Sequence, residues 1–215
     1  HVVITAGPTR EAIDPVRYIS NHSSGKQGYA LALAAIDAGA RVTLISGPTN
    51  IIAPDRASVV AVQSADEMLE AVMSSISDAD IFIGVAAVAD YKPVSVLNQK
   101  IKKSGGSALT LNLVQNQDIL KTVAELPNRP YTVGFAAETE NVIEYARAKL
   151  TAKNLDMIVA NNVADTSIGF NSDHNETTII TRTISGTKEA KQSKMSKENL
   201  SRKLIELIAE QVTEA

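Results

Sequence analysis

Apolar residues along this chain come in two rhythms. Short runs of strand length, such as Val2-Val3-Ile4, Ile81-Phe82-Ile83 and Ile158-Val159, are rich in β-branched residues and read as strands buried on both faces. This reading predicts strands over 2–6, 41–46, 59–63, 80–85, 131–137 and 156–160. Between them, apolar positions recur every three or four residues. Helices are expected over 29–38, ended by Gly39, over 64–77, capped by Ser64, over 116–125, and over 139–150 with continuation to 153. A last amphipathic helix follows Ser196 and turns Leu200, Leu204, Leu207 and Ile208 to the core. Pro8 and Pro15 break any pattern over 7–20, which predicts a long loop, and a loop of that length inside a compact domain is often functional. Residues 161–176 read as a polar loop. Residues 185–194 are polar throughout and are expected to lack regular structure.

Strand and helix alternate, so the expected fold is α/β: a doubly wound, Rossmann-like, mostly parallel sheet with helices on both faces, residues 1–215 forming one domain. Two alternating segments, 108–114 and 177–184, look too exposed to serve only that sheet, and unpaired strands tend to find a partner, so a homodimer built partly from them is expected. The 44% hydrophobic content with only 4% aromatic residues suits small-residue helices on buried parallel strands. Absence of cysteine excludes disulfides and thiolate metal sites. A formal net charge of −3, with basic residues not interleaved with aromatics, gives no footprint for nucleic acid or an anionic membrane. No apolar run reaches the roughly 20 residues of a membrane span. The chain opens at His1 and enters a strand at once, which reads as a piece of a longer chain, with a cytoplasmic location expected.

Candidate chemistry gathers at strand ends. Asn21-His22-Ser23-Ser24-Gly25-Lys26-Gln27-Gly28 sits between the first loop and the first helix, where backbone N–H groups can face an anion and Asn21 can point at whatever the helix start holds. A plain N-cap at Ser23 or Ser24 is the structural alternative. Gly84-Val85-Ala86-Ala87-Val88-Ala89-Asp90 lies beyond a strand carboxyl end, where doubly wound sheets bind ligands, with small side chains exposing backbone and Asp90 supplying a carboxylate. Residues 100–107 are basic and then glycine-rich, like a mobile cationic flap. Lys149 and Lys153 share a helix face, an arrangement that is mildly unfavourable unless an anion lies between them. His1, His22 and His174 are isolated, so no metal site is expected from the protein itself. The residues alone reach as far as a nucleotide-using α/β enzyme of undetermined chemistry.

The motifs carry a resemblance when taken together. Gly7-Pro8-Thr9-Arg10-Glu11, Asp14-Pro15-Val16-Arg17, Asn21 to Lys26, Ala86-Ala87-Val88-Ala89-Asp90, Lys100-Ile101-Lys102-Lys103 and Gly134-Phe135-Ala136-Ala137-Glu138-Thr139 occur in order. The chain resembles the bacterial, CTP-using phosphopantothenoylcysteine synthetases over nearly its whole length, most weakly over 171–194. In many bacteria that domain is the C-terminal half of a bifunctional protein with an N-terminal flavin-dependent decarboxylase. The resemblance implies a ligase of coenzyme A biosynthesis: the carboxylate of 4′-phosphopantothenate attacks CTP, and L-cysteine then displaces CMP from the acyl-cytidylate. It implies Asn21 and Lys100 as catalytic groups. Gly84, Val85, Ala86, Asp90, Lys100, Gln117, Asp118, Ile119, Leu120, Phe135, Lys149 and Lys153 are implied at the nucleotide, and Arg17, Asn21, Ser23, Ser24, Gly25 and Ala87 at the acid substrate. Mg²⁺ is implied on the phosphates. Gln117 stands where the family usually has proline, which restores a backbone N–H.

Two other readings compete. Tyr145 and Lys149 have the Tyr-x-x-x-Lys spacing of a short-chain dehydrogenase, but no glycine-rich dinucleotide turn follows the first strand and Ser46-Gly47, not an acid, ends the second. A non-catalytic nucleotide-binding module is the remaining class, and the presence of Lys100 with the full set of loop motifs counts against it.

Overall fold

The computed structural model describes residues 1–102, 108–162 and 171–213. In chain order, β1 (Val2–Ala6) is followed by a small hairpin, β2 (Glu11–Ala12) and β3 (Tyr18–Ile19), then α1 (Lys26–Asp37), β4 (Val42–Ser46), β5 (Ala57–Ala61), α2 (Ala65–Ser75) and β6 (Ile81–Gly84). Next come β7 (Tyr91–Pro93), β8 (Leu113–Gln115), α3 (Ile119–Ala124), β9 (Tyr131–Glu138), α4 (Val142–Ala152) and β10 (Met157–Asn162). The chain closes with β11 (His174–Thr183), β12 (Gly186–Ser196) and α5 (Lys197–Thr213). Among the described residues they build an eight-stranded sheet in the order β12-β11-β10-β9-β6-β1-β4-β5, with β2-β3 and β7-β8 as separate pairs. From β10 to β5 every pairing is parallel, while β11 and β12 extend the edge antiparallel. The fold is the doubly wound, mostly parallel sheet expected from the alternation of strands and helices.

Side-chain alternation along each strand explains the two layers of core. Val2, Ile4 and Ala6 of β1 pack with Leu31, Ala32 and Ala35 of α1 and with Leu200, Leu204 and Ile208 of α5. Val3 points the other way, into a cluster with Phe82, Met68 and Val72 of α2 and Val123 of α3. Leu150 and Ala146 of α4 cover Ile158 and Ala160 on that second face. Side-chain caps set helix starts where anticipated. The Ser64 hydroxyl accepts from Glu67 N–H at 3.2 Å, and Ser196 accepts from Asn199 N–H at 3.2 Å.

The departures are local. Helix α1 begins at Lys26, not 29, and its N-cap is Gly25 at φ 82°, so neither serine holds the N-cap position. The third parallel strand is Ala57–Ala61 and is mostly exposed, as an edge strand permits. Of the expected strand 108–114, only the end persists, as β8, paired with β7. The expected solitary strand at 177–184 is, up to Thr183, the C-terminal part of β11, paired with β10 on one side and β12 on the other with Ile179 and Ile180 buried, so it offers no free edge. The stretch 185–194, expected to be irregular, is strand β12. Its polar composition reflects an edge position with mostly exposed side chains. Much of the anticipated loop 161–176 lies outside the described residues.

Helix α1 lies so close to β1 that residue 28 has to be glycine. A Cβ there would stand 2.6 Å from Ala6 Cβ and 3.1 Å from Ala6 Cα, atoms that cannot rotate away. Alanine gains about 1 kcal/mol of helix propensity over glycine, against about 1–3 kcal/mol for overpacking. With backbone-fixed neighbours the clash wins. Gly28→Ala is expected to lose about 1–2 kcal/mol in urea unfolding, and a variant as stable as the parent would show that α1 shifts without cost.

Candidate active site

The sheet order reverses direction at β1, whose neighbours β4 and β6 are reached over opposite faces, so the loops after β1 and β6 diverge and leave a crevice at their carboxyl ends. Those two loops are stitched to each other. Ala87 N–H donates to Gly7 O at 2.9 Å, and Ala87 O accepts from Thr9 N–H at 3.3 Å and from the Asn21 amide at 2.5 Å. The buried hydroxyls of Thr5 and Thr9 accept from the N–H groups of Ala86 and Ala89 at 3.2 and 3.0 Å. Asn116 continues the seam, donating from its backbone to Asp90 O and from its side chain to Ala89 O, each at 2.8 Å. Asn21 thus stands where the first helix start meets the 85–90 loop, its own Oδ1 accepting from Ser23 N–H at 3.3 Å.

Two cavities flank this seam, on opposite faces of the sheet edge. The first lies at the start of α1 between Ser23, Gly25, Gly28, Ala87 and Lys197. Gly25 and Gly28 bring the helix N-terminus to the cavity wall, and the first-turn N–H groups of a helix have no intrahelical acceptor. The second runs from Gly84 and Asp90 past Gln117 and Asp118 to Lys149 and Lys153. A side chain at Gly84 would press on Leu120, its Cβ standing 2.6 Å from Leu120 Cδ2. Asp118 does two jobs, capping α3 through Lys121 N–H at 3.1 Å and pairing with Lys153 at 2.8 Å. Lys149 pairs with Glu138 at 2.5 Å. Ala86 and Phe135 line both cavities, so the two spaces share one wall.

The expected site residues are distributed accordingly. Gly84, Ala86, Asp90, Gln117, Asp118, Ile119, Leu120, Phe135, Lys149 and Lys153 line the second cavity. Ser23, Gly25 and Ala87 line the first, together with Val85, which was expected beside the nucleotide residues. Asn21, Ser24, Arg17 and Lys100 are in neither wall. Asn21 reaches the site through Ala87, while Arg17 is drawn to Asp14 and Ile101. Lys100 is exposed, and residues 103–107 of the expected flap lie outside the described residues. Sequence reasoning missed Lys26 as a cavity residue and Lys197 altogether. Lys26 lies inside the 21–28 motif; Lys197 is far along the chain and carries no local signal.

The family model for the DNA/pantothenate metabolism flavoprotein C-terminal domain matches residues 1–212. The chain belongs to this family. Its relatives include the coenzyme A biosynthesis bifunctional protein CoaBC of Vibrio vulnificus, 55% identical over 180 residues, and the protein of the same description from Escherichia coli, 56% identical over 178. These matches cover 83% and 81% of this chain but 45% and 44% of the relatives, so the chain spans less than half the length of the proteins it matches. A crystal structure of the C-terminal domain of coenzyme A biosynthesis bifunctional protein CoaBC has a TM-score of 0.83 at 40% identity, covering 100% of this chain and 96% of that one.

The first cavity has its own electrostatics. Lys26 Nζ binds Asp173 at 2.6 Å and Asn171 O at 3.0 Å, and the contact with Lys26 holds the Asp173 carboxyl below the usual carboxylate range. Burial, then the charge of Lys26, pushes Lys197 down to about 8, with Asp173 pulling the other way. The folded chain therefore gives up that proton near pH 8 while the unfolded chain keeps it to about 10.5. The unfolded state holds more protons in that window, so this group makes stability rise with pH from about 8 to 10.5 and opposes folding in full below it. Lys26→Met removes the like charge and frees Asp173, and both changes should raise the Lys197 midpoint. A ¹³C-lysine NMR titration reads it directly; a midpoint unmoved or lowered would disprove the coupling.

Proposed function

We propose that the chain is a phosphopantothenate–cysteine ligase domain, joining 4′-phosphopantothenate to L-cysteine at the expense of CTP. The observation that carries this reading is the shared wall at Ala86 and Phe135, because two ligands in adjoining cavities can react only where the cavities meet. The second cavity suits a nucleoside triphosphate. Lys149 and Lys153 can exchange their carboxylate partners for phosphate oxygens, and the cavity-lining backbone at Gly84 and Gln117 can meet a base. The first cavity suits a phosphorylated acid, with the α1 N-terminus, Lys26 and Lys197 as its positive surface. A short-chain dehydrogenase fits less well, since Tyr145 lines neither cavity.

In the first half-reaction a carboxylate oxygen attacks the α-phosphorus and the bond to pyrophosphate breaks. Anions meet, so cations placed where charge develops lower the barrier, and Lys100, Lys149 and Lys153 take that role. In the second, the cysteine amine attacks the acyl carbon, loses a proton and expels CMP. A primary amide carries two N–H donors, and Asn21 commits one to Ala87 O, leaving the other for the acyl oxygen. Among the described residues no three His, Cys, Asp or Glu side chains gather as a metal cage. Mg²⁺ would ride on the phosphate oxygens and neutralise charge there, with Asp90 and Asp118 as the carboxylates that line the same cavity.

Around β7 and β8 the apolar side chains of Val94, Val96, Leu97, Leu109 and Val114 are all exposed, a patch suited to a second copy of the chain. In a full-length protein a flavin-dependent decarboxylase would share the chain, as the bifunctional relatives suggest. None of the described helices is long and apolar enough to cross a membrane.

Mixing with CTP and 4′-phosphopantothenate, without cysteine, should release one pyrophosphate per site. No release would overturn the ligase reading, and equal turnover with ATP would overturn the base preference. Lys100→Gln should suppress this burst yet leave supplied acyl-cytidylate usable by cysteine. Asn21→Asp should release pyrophosphate in part and then stall, since loss of one such donor costs roughly 3–4 kcal/mol of transition-state stabilisation. Rapid-quench analysis of both variants separates the steps. Light scattering at micromolar concentration should show a dimer, and a monomer would reject the assembly.

A further inference from the structure

The Asp14-Pro15-Val16-Arg17 turn holds more than itself together. It closes the β2-β3 hairpin, and Asp14 Oδ1 accepts from the N–H groups of Val16 and Arg17, each at 2.8 Å. These bonds are what a turn-forming aspartate ordinarily makes. The other oxygen does something a turn does not require. Asp14 Oδ2 accepts from Ile101 N–H at 3.0 Å, 87 positions away, and from the Arg17 guanidinium at 3.0 Å. The same guanidinium donates to Ile101 O at 3.1 Å. Both polar groups of one residue are therefore gripped by one carboxylate–guanidinium pair. Four residues earlier, Leu97 N–H donates to Ile13 O at 3.0 Å, so the segment is pinned at two points.

The carboxylate side chain of Asp14 is fully buried, whereas Arg17 is partly exposed. A buried charge is costly unless its hydrogen bonds are satisfied, so the chain gains by keeping Ile101 in place. Backbone hydrogen bonding, that from Ile101 foremost, together with the Arg17 charge, holds the Asp14 carboxyl below the usual carboxylate range despite the burial. The grip therefore persists at all ordinary pH.

We propose that Asp14, acting through Ile101, is the positioning residue for Lys100, the neighbouring cation given the carboxylate-activating role above. This assignment rests on the ligase reading for what Lys100 does, but the anchoring itself does not. The geometry also accounts for Arg17: it serves the site by holding Ile101, without entering either cavity.

Asp14→Asn separates the two functions of the side chain. The amide oxygen can still accept from Val16 and Arg17, but its NH₂ would face the donors of Ile101 and Arg17. Two readouts test the assignment. Limited trypsin digestion of the native chain should cut the Lys100–Ile101 bond on the order of tenfold faster in the variant, the scale of losing one hydrogen bond to a charged group, with cleavage after Lys203 unchanged. The single-turnover pyrophosphate burst should slow at least tenfold at saturating CTP, while CTP affinity and consumption of supplied acyl-cytidylate by cysteine stay near wild type. Ile101→Pro removes the donor and leaves Asp14 untouched, so a slowed burst in that variant guards against misfolding of the first. Wild-type cleavage in Asp14→Asn would show that no anchoring exists. Faster cleavage with an unchanged burst would overturn the positioning role. A wild-type chain that releases no pyrophosphate would instead indict the ligase reading, with the cleavage result still deciding the anchor.

Discussion

The backbone of Ala87, its N–H and its C=O together, is the constraint on which the site depends. Its N–H is held by Gly7 and its carbonyl by Thr9 and Asn21, so the loops after β1 and β6 cannot move apart independently. In a doubly wound sheet these loops lead to opposite faces, and nothing in the topology alone fixes their separation. The close fit extends outward from this point. Gly7 sits at φ 74°, and a Cβ at Gly47 would come within 1.9 Å of Pro8 O. Asn21 is oriented by the same carbonyl that defines the seam, so the amide assigned to the second half-reaction is set by the backbone that separates the two cavities.

Charge is arranged on the same plan of fixing groups beforehand. Three lysines in the cavity walls are each held by a carboxylate: Lys26 by Asp173, Lys149 by Glu138 and Lys153 by Asp118. These pairs are partly exposed and contribute little stability. Their effect is on rotamers, since a long flexible side chain already ordered loses less freedom when an anion arrives. On the proposed reading, a triphosphate entering the second cavity would have to displace or bridge two such pairs, which favours a ligand of high charge over a monophosphate.

Legibility in the sequence tracked how local the determinant was. Strands β1, β6 and β10 carry apolar runs because both faces are buried, and the Ser64 and Ser196 caps act within a few residues. The lining of the second cavity was readable too, since its loops leave strand ends in order. Strand β12 was not, because an edge strand with mostly exposed side chains has no hydrophobic signature and its identity comes from pairing with β11. The same limit hid the partners of Arg17. A turn motif announces itself, but the contact of Asp14 with Ile101 spans 87 positions and has no periodicity to betray it.

Lys197 shows how the two halves of the site differ in origin. The second cavity is walled by the strand ends and helices of the parallel core, from Gly84 to Lys153. The first is completed by chain beyond that core: Asn175 on β11 and Lys197 at the head of α5. Helix α5 packs across α1 through Leu200, Leu204, Ile205 and Ile208, and Lys197 N–H donates to Asp173 O at 2.9 Å, which ties the helix start to the segment pairing with Lys26. The antiparallel extension therefore does more than lengthen the sheet. It brings a second cation over the α1 N-terminus, in a setting where burial weakens that cation's hold on its proton. A single cavity at the strand ends becomes a pair of adjoining cavities because a later stretch of chain folds back to complete the other side.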